Sequence, residues 1–534
     1  MFHENILLIL SLLFAVSMLY MLSQKIKISY PILLVLAGLA IGFIPGMPPV
    51  ALDPEIVFLI FLPPLLYAAA WNTSWKDFWE NRRPISLLSF GLVIFTSIGI
   101  AFLSNAIIPD FPLAYGFLLG GIISPPDAVA ATSVLQDLRI PKRIVTILEG
   151  ESLINDASSL IVFRFALAAI LTGSFSIGQA TGSFFMVAGL GMLVGIVLAF
   201  IIYWVHKFLP TDANTDTAIT LLSPYIMYLV AEQFHLSGVM AVVSGGLFLT
   251  FRSHKIFAYN TRMQTYAVWG TLTYLLNGLV FILIGLQLPT IVAGLETGTM
   301  ASAILYAVII SVVTIIIRII WVYPGEYIPR ILFSSIRNKE PRPSGKAVFL
   351  VAWSGMRGVV SLASALSVPL TLSDGTAFPH RSLLLFITFV VILITLVLQG
   401  LSLPWLIRKL KIEDNNKEAE EELDLAIRLQ MADAVVDYLN LNYAEEIKDI
   451  EAYRRVKERY DRMAQHTYRR LVEGDNTGPD FLPAYRKMLL ELVHIKRQAL
   501  QRLNREDLYS LEMIREKEYE LDLEEARLAE GKES

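Results

Sequence analysis

In an apolar stretch beginning near Arg143, the run Gly150-Glu151-Ser152-Leu153-Ile154-Asn155-Asp156-Ala157 sets two carboxylates, a hydroxyl and an amide into a segment expected to cross a membrane. An ionised carboxylate at that depth costs several kcal/mol, so it normally faces a wet cavity and serves a function. Another acid, Asp127, follows Pro125 and Pro126 in the preceding apolar stretch. Proline lacks an N–H and collides with the preceding turn. Two in succession should therefore interrupt that helix and free carbonyls nearby, and such backbone is tolerated only where it lines a cavity or is buried in protein. A simple kink is the plainer alternative, against which stands the acid directly after the break. Together these groups can hold a small cation at a carboxylate for which a proton competes, the minimum machinery of cation/proton exchange.

Spacing assigns the parts. Glu151 and Asn155 are i,i+4 and share one helical face, while Ser152 and Asp156 share an adjacent one. Asp156 lies about fourteen residues from the basic end of its span, or about 21 Å along a helix, a little past the midplane. A buried structural ion pair is the alternative use of such an acid. In a later span, Trp353-Ser354-Gly355-Met356-Arg357-Gly358 flanks an arginine with glycines, so a second unwound stretch is expected there. Arg318 is a further cation at membrane depth that needs a partner. Glu151 is the candidate, which leaves Asp156 free to titrate. Arg164, two turns beyond Asp156, is expected to snorkel toward the interface.

The elements that must position these residues follow from composition. The chain has 534 residues, 55% of them hydrophobic, with mean hydropathy +0.56 and 17% charged residues; a soluble domain carries about 25% charged. The charge concentrates at the C-terminal end, which divides the chain into a membrane domain, 1–412, and a cytosolic tail, 413–534. Apolar runs of about 18–28 residues suffice to cross ~30 Å of hydrocarbon as helices. They fall near 5–23, 29–45, 55–72, 84–108, 111–137, 143–171, 177–205, 215–234, 236–251, 266–289, 300–322, 345–370 and 382–407, about 13 transmembrane helices in an all-α polytopic fold. The eighth and ninth are the weakest, with only a short turn at Glu232 and His235 between them. Basic residues such as Lys25, Arg82, Arg83, Arg139, Arg143, Lys207, Arg252, Arg330 and Arg342 fall in odd-numbered loops, while the even-numbered loops hold only Arg381. By the positive-inside rule the N-terminus is outside and the tail cytoplasmic. The interrupted fifth and twelfth spans then cross in opposite directions, the sequence pointer to an inverted-repeat transporter.

Other classes recede. The formal charge of −4 is too small and divided to suggest nucleic acid, and there are no cysteines for disulfides or thiolate sites. The seven histidines show no metal-ligand spacing, so no metal beyond a transported cation, and no cofactor, is expected. No G-x-x-x-x-G-K-[ST] loop is present, which removes the usual ATP-driven pump. An intramembrane aspartyl protease also uses two aspartates, but here they follow Pro126 and Asn155, and no enzyme is expected. A receptor leaves the buried acids unexplained, and a cation channel, the less favoured alternative, would show a linear current rather than saturable exchange. Gly38-x-x-x-Gly42 and Gly191-x-x-x-Gly195 match the close-contact pattern of membrane helices, a weak signal. The first span has no cleavage-site pattern and is expected to be retained. In the tail, 416–441, 444–472 and 482–530 have helical apolar spacing, for example Leu423, Ile427, Met431 and Val435, with a turn at Gly474, Asn476, Gly478 and Pro479. A solvated bundle, a regulatory sensor or a dimerising element all suit it.

Asp127-Ala128-Val129-Ala130, Gly150 to Ala157, Gly355-Met356-Arg357-Gly358 and Phe61-Leu62-Pro63-Pro64-Leu65-Leu66 resemble the monovalent cation:proton antiporter family, which includes bacterial NhaP-type Na+/H+ antiporters and eukaryotic sodium/proton exchangers. The resemblance covers roughly 5–410. It implies a plasma-membrane homodimer, each protomer with a dimerisation domain and a core in which two unwound helices cross and alternately expose the site. Asp156 matches the cation-binding aspartate, Asn155 the residue before it, Ser152 a side-chain ligand and Asp127 the acid at the crossing. Glu151 and Arg318 look like the family's structural ion pair, and Arg357 like the arginine at the second crossing. Asparagine at 155 resembles the electroneutral branch, one cation for one proton, with Na+ favoured, Li+ expected, and K+ the alternative. Ala128 departs from the proline common in the family, which with Pro125 and Pro126 ahead of it suggests a shifted break.

Overall fold

In hydrocarbon every backbone polar group must be satisfied within the protein, which leaves helices as the outcome for runs this rich in Leu, Ile, Val and Phe. A computed structural model describes residues 2–45, 54–135, 138, 140–173, 177–295, 300–339, 343–372, 375–412, 417–472, 482–505 and 511–530. Arg139, Arg342 and the turn expected at Gly474 to Pro479 lie outside the described residues. The chain forms two compact units, Met1–Asp414 and Asn415–Ser534. Among the described residues the only β pairing is one isolated bridge, Thr371 with Ala377.

The first unit begins with α1 (Phe2–Ile26), α2 (Tyr30–Gly42), α3 (Pro54–Asn72) and α4 (Arg82–Ile107). α5 (Leu113–Ile123) and α6 (Ala128–Leu135) are two halves of one interrupted span. α7 (Lys142–Thr172), α8 (Ile177–Phe208), α9 (Ala213–Gln233), α10 (Gly238–Ile256), α11 (Tyr259–Leu286) and α12 (Met300–Leu332) follow. α13 (Gly345–Trp353) and α14 (Val359–Leu366) are halves of a second interrupted span, and α15 (Arg381–Leu410) closes the unit. Among the described residues, eight helical stretches are long and apolar enough to cross a membrane, among them the whole of Leu113–Leu135, and α2 and most of α3 are shorter apolar helices. α9 and α10 are separate helices, and His235 between them adopts φ 56°.

Interior residues form two apolar clusters. One gathers α2, α5, α11, α13, α14 and α15, and the other gathers α3, α8 and α10. The small-residue pairs mark the tightest approaches. A Cβ on Gly285 of α11 would overlap the α2 backbone at Val35, and one on Gly38 would overlap the carbonyl of Ile282. Gly191 and Gly195 of α8 lie in the same way against the backbone of Ser237 and Ala241 at the start of α10. Two π-turns interrupt regular helix, at Leu87–Leu92 in α4 and Thr395–Gln399 in α15. Such turns often mark functional positions, and the second lies beside the site.

The second unit contains α16 (Lys417–Asn442), α17 (Glu451–Val472), α18 (Leu482–Arg505) and α19 (Leu511–Glu530). The third helical segment expected from sequence is thus two helices, which pair through Lys496–Glu524 at 2.8 Å and Arg497–Asp522 at 2.6 Å. α16 pairs with α17 and leaves Leu423, Ile427 and Met431 exposed.

Candidate cation and proton site

α5 stops at Ile123 because Pro125 and Pro126 donate no amide to the turn before them. Proline alone does not decide this, since Pro63 and Pro64 sit inside α3 without ending it. There the Tyr225 hydroxyl donates to the Ile60 carbonyl, the one Pro64 leaves without its helical partner, at 3.4 Å. What differs at Pro126 is the next residue. The Asp127 carboxylate accepts from the Val129 amide at 2.8 Å, as a helix-capping residue does, and starts α6 on a new axis.

The second break meets the first. The Asp127 amide donates to the Met356 carbonyl at 2.7 Å, joining the two unwound stretches through their backbones. Gly358 lies so close to the Asp127 carboxylate that a Cβ there would overlap Oδ2, and the Val359 amide opening α14 is also directed at it. Arg357 does the reverse at the other helix ends. It donates from Nε to the Ile123 carbonyl at 3.0 Å and from Nη1 to the Gly355 carbonyl, while its own amide donates to Thr395 Oγ1 at 3.1 Å. Helix N-termini carry partial positive charge and C-termini partial negative charge. An acid therefore stands at the starts of α6 and α14, and a cation at the ends of α5 and α13.

α7 runs past this crossing and presents the predicted polar run to it. Asn155 Nδ2 donates to the Pro126 carbonyl at 2.9 Å, and Ser152 Oγ accepts from the Ala128 amide at 3.2 Å. Asn155 Oδ1 is buried with no protein hydrogen-bond partner. Asp156 is 8% exposed and within electrostatic reach of Asp127. A cavity of about 70 Å³ is lined by Asp127, Ser152 and Asp156, by Pro125 and Pro126, and by Asn277 of α11. A single water needs about 10–15 Å³ measured this way, so a cation and several waters fit. Most of the remaining wall is apolar, including Leu62, Leu65 and Leu66 of α3.

Glu151, one turn before Asn155, points away from this cavity. Arg318 of α12 binds it with two bonds, Nη1 to Oε1 at 2.5 Å and Nη2 to Oε2 at 2.7 Å, both side chains being fully buried. Arg318 Nη2 also donates to the Val351 carbonyl at 3.1 Å, which ties α13 to the pair. The structure thus brings Asp127, Ser152, Asp156, Pro125 and Pro126 to one cavity, places Asn155 against its proline wall, and sets Glu151, Arg318 and Arg357 outside it. Arg164 does not snorkel alone: it pairs with Glu232 of α9 at 2.8 Å. Sequence reading missed Asn277, although an amide in the apolar run Leu276-Asn277-Gly278-Leu279 is a signal of the same kind as Asn155. Ser361, which also lines the cavity, and Thr395 gave no such signal, since hydroxyls often bond back to their own helix.

Comparison with known proteins agrees with this architecture. The model of the family described as "Sodium/hydrogen exchanger, transmembrane" matches residues 9–409. A sodium, potassium, lithium and rubidium/H+ antiporter of Bacillus pumilus is 35% identical over 417 residues, 76% of this chain, and the chain spans only 60% of that relative's length. The Na+/H+ antiporter ApNhaP of Aphanothece halophytica is 33% identical over 442 residues, covering 82% of this chain and 80% of that one. The solved sodium proton antiporter MjNhaP1 of Methanocaldococcus jannaschii shares the fold, with a TM-score of 0.61 at 20% identity over 77% of this chain and 99% of that structure. Two interrupted helices joined at their breaks, a carboxylate-lined cavity beside them and a family match over nearly all of the first unit lead to one conclusion: the chain belongs to the sodium/hydrogen exchanger family.

Proposed function

We propose that this chain is a secondary antiporter that exchanges a monovalent cation, Na+ and also Li+, for H+, with Asp156 as the group that carries either ion. The observation that supports this reading is the cavity in which the Asp156 carboxylate, the Ser152 hydroxyl and the Pro125–Pro126 backbone converge, with the unpartnered Asn155 Oδ1 beside them. Two other acids near it are already engaged. Glu151 is neutralised by Arg318, and Asp127 is held by helix-start amides. One exchangeable charge remains, so one cation moves against one proton and the cycle is electroneutral.

The cavity lies between the helix crossing on one side and α3 with α11 on the other. Sliding of the crossing and its neighbours against α3 and α11 would carry Asp156 from one water-exposed side to the other. In this reading the first unit contributes thirteen spans and forms a homodimer in the plasma membrane, with the N-terminus outside and the second unit in the cytoplasm, where it tunes transport. The breadth of cations in the name of the Bacillus pumilus relative favours a second reading, K+/H+ exchange at the same site. Proteoliposomes containing the full chain test both. Saturable proton movement on adding Na+, Li+ or K+, unchanged when the membrane potential is clamped, is expected and names the cation. No coupled proton flux with any of the three, from folded protein, would sink the proposal.

A further inference from the structure

The cavity beside the crossing has two kinds of wall. Asp127, Ser152, Asp156 and Ser361 all come from the crossing itself or from α7 and α14 packed around it. The wall from α3 and α11 consists of Leu62, Leu65, Leu66 and Ala69, with one polar residue, Asn277. Asn277 is 4% exposed, and among the described residues its side-chain amide makes no hydrogen bond. Hydroxyls on a helix can satisfy themselves on the preceding turn. Thr273, one turn earlier on α11, does so with the Trp269 carbonyl at 2.7 Å. Asn277 does not, and a buried amide without a partner costs stability unless water or a ligand meets it. Its place on the cavity is fixed by the next residue. Gly278 packs on α1 so closely that a Cβ there would overlap Val16, which sets the rotation of α11.

We propose that the Asn277 side-chain oxygen is a cation ligand supplied by the wall that does not travel, so that it strengthens cation binding at one face of the membrane only. The assignment rests on the exchange reading above. Small hard cations take oxygen ligands, and the Asp156 carboxylate and Ser152 hydroxyl supply them from the α7 side of the cavity. The amide oxygen meets the same ion from the α11 side, directly or through one water of the cavity. Being neutral, it adds no charge to the cycle and leaves the one-for-one exchange as it is. When the crossing and α7 slide against α3 and α11, Asp156 and Ser152 move with the ion and Asn277 stays. The ion gives up one ligand between one side and the other, and its affinity therefore differs between the two faces.

The test compares the two faces. Right-side-out and everted membrane vesicles carrying the full chain are prepared from a host lacking its own Na+/H+ exchangers, and proton movement is followed as Na+ is added in steps. Asn277→Ala should raise the apparent KM for Na+ about tenfold in one vesicle orientation, as for the loss of one bond to a charged group, and by less than twofold in the other. A purely structural role for Asn277 would alter both faces alike. Equal rises at both faces, or an unchanged KM at both, overturn the assignment. Asn277→Asp, which keeps an oxygen at the position, decides if Asn277→Ala fails to fold. It should lower KM at one face only, and exchange should remain indifferent to membrane potential because the added charge is not carried across. A lower KM at both faces, or a new response to potential, overturns the assignment as well. A parent chain with no coupled proton flux would sink the exchange reading and this assignment with it, whereas an active parent with an indifferent Asn277→Ala variant sinks the assignment alone.

Discussion

Asp127 accepts from amides that open two half-helices, and Arg357 donates to carbonyls at or just beyond the ends of two others, Ile123 and Gly355. Two unwound stretches that would otherwise leave like poles facing each other in low dielectric are thus balanced by one acid and one base. The backbone bond from Asp127 to Met356 holds the balance at a single point. The Asp156 carboxylate stands beside that point with no structural partner among the described residues, which leaves it available to a mobile ion.

Asp156→Asn removes the titrating charge but keeps the shape of the side chain. Exchange should fall to background in proteoliposomes while the protein elutes and melts like the parent. Residual saturable cation/proton coupling would take Asp156 out of its assigned role.

Competition at one carboxylate has a definite pH signature. As pH falls through the range where Asp156 protonates, the apparent KM for Na+ should rise in proportion to proton concentration while the maximal rate under saturating Na+ stays constant. A maximal rate that collapses at acid pH even with saturating Na+ would point to a separate inhibitory proton site.

Glu151 and Arg318 are buried together, so removing either alone strands a charge. Glu151→Gln or Arg318→Met should destabilise the first unit by about 3–5 kcal/mol, and the double variant Glu151→Met with Arg318→Met should recover much of that. Thermal melting of purified variants reads the difference, and additive losses in the double variant would count against a coupled pair.

Asn155 donates to the Pro126 carbonyl, a bond that an aspartic acid can replace only while protonated. Asn155→Asp should therefore add a second proton to the cycle and make exchange respond to membrane potential. Continued indifference to a clamped potential in an active Asn155→Asp variant would falsify the one-charge account.

The ion pairs of the second unit described above join helices of that unit to each other, Lys496–Glu524 and Arg497–Asp522 among them. Truncation after residue 414 should keep cation and proton coupling and move only its dependence on pH or ion concentration. Loss of coupling in a truncated protein that still melts cooperatively would make the tail part of the transport machinery.

Much of the site was legible because polar residues in hydrocarbon announce themselves. Asp127, Asp156 and Arg318 stand out against apolar neighbours, and the Gly-Met-Arg-Gly run foretold a break that the structure places at Ser354 to Gly358. The pairing of prolines was less informative than it looked, since Pro63-Pro64 and Pro125-Pro126 are alike in sequence and differ in outcome. What separates them is a third residue, the capping acid, and a tertiary contact to Met356 that no local pattern encodes. The partner of Arg164 was hidden for the same reason: Glu232 is close in space and far along the chain. Asn277 escaped because it lies on a helix remote in sequence from the polar run, and only the cavity brings the two together.

The glycine contact between α2 and α11 sets a mechanical condition on all of this. Gly38 and Gly285 let the two backbones touch, so α2 and α11 are welded at that level and cannot slide past each other without a clash. Asn277 sits on the same welded helix, about 12 Å along its axis from Gly285. In the proposed transport cycle it would be part of a stator, a fixed reference surface against which a carrier could shuttle. A bulkier side chain at Gly285 would loosen that stator, and the cavity would leak in both directions while every ion ligand remained in place.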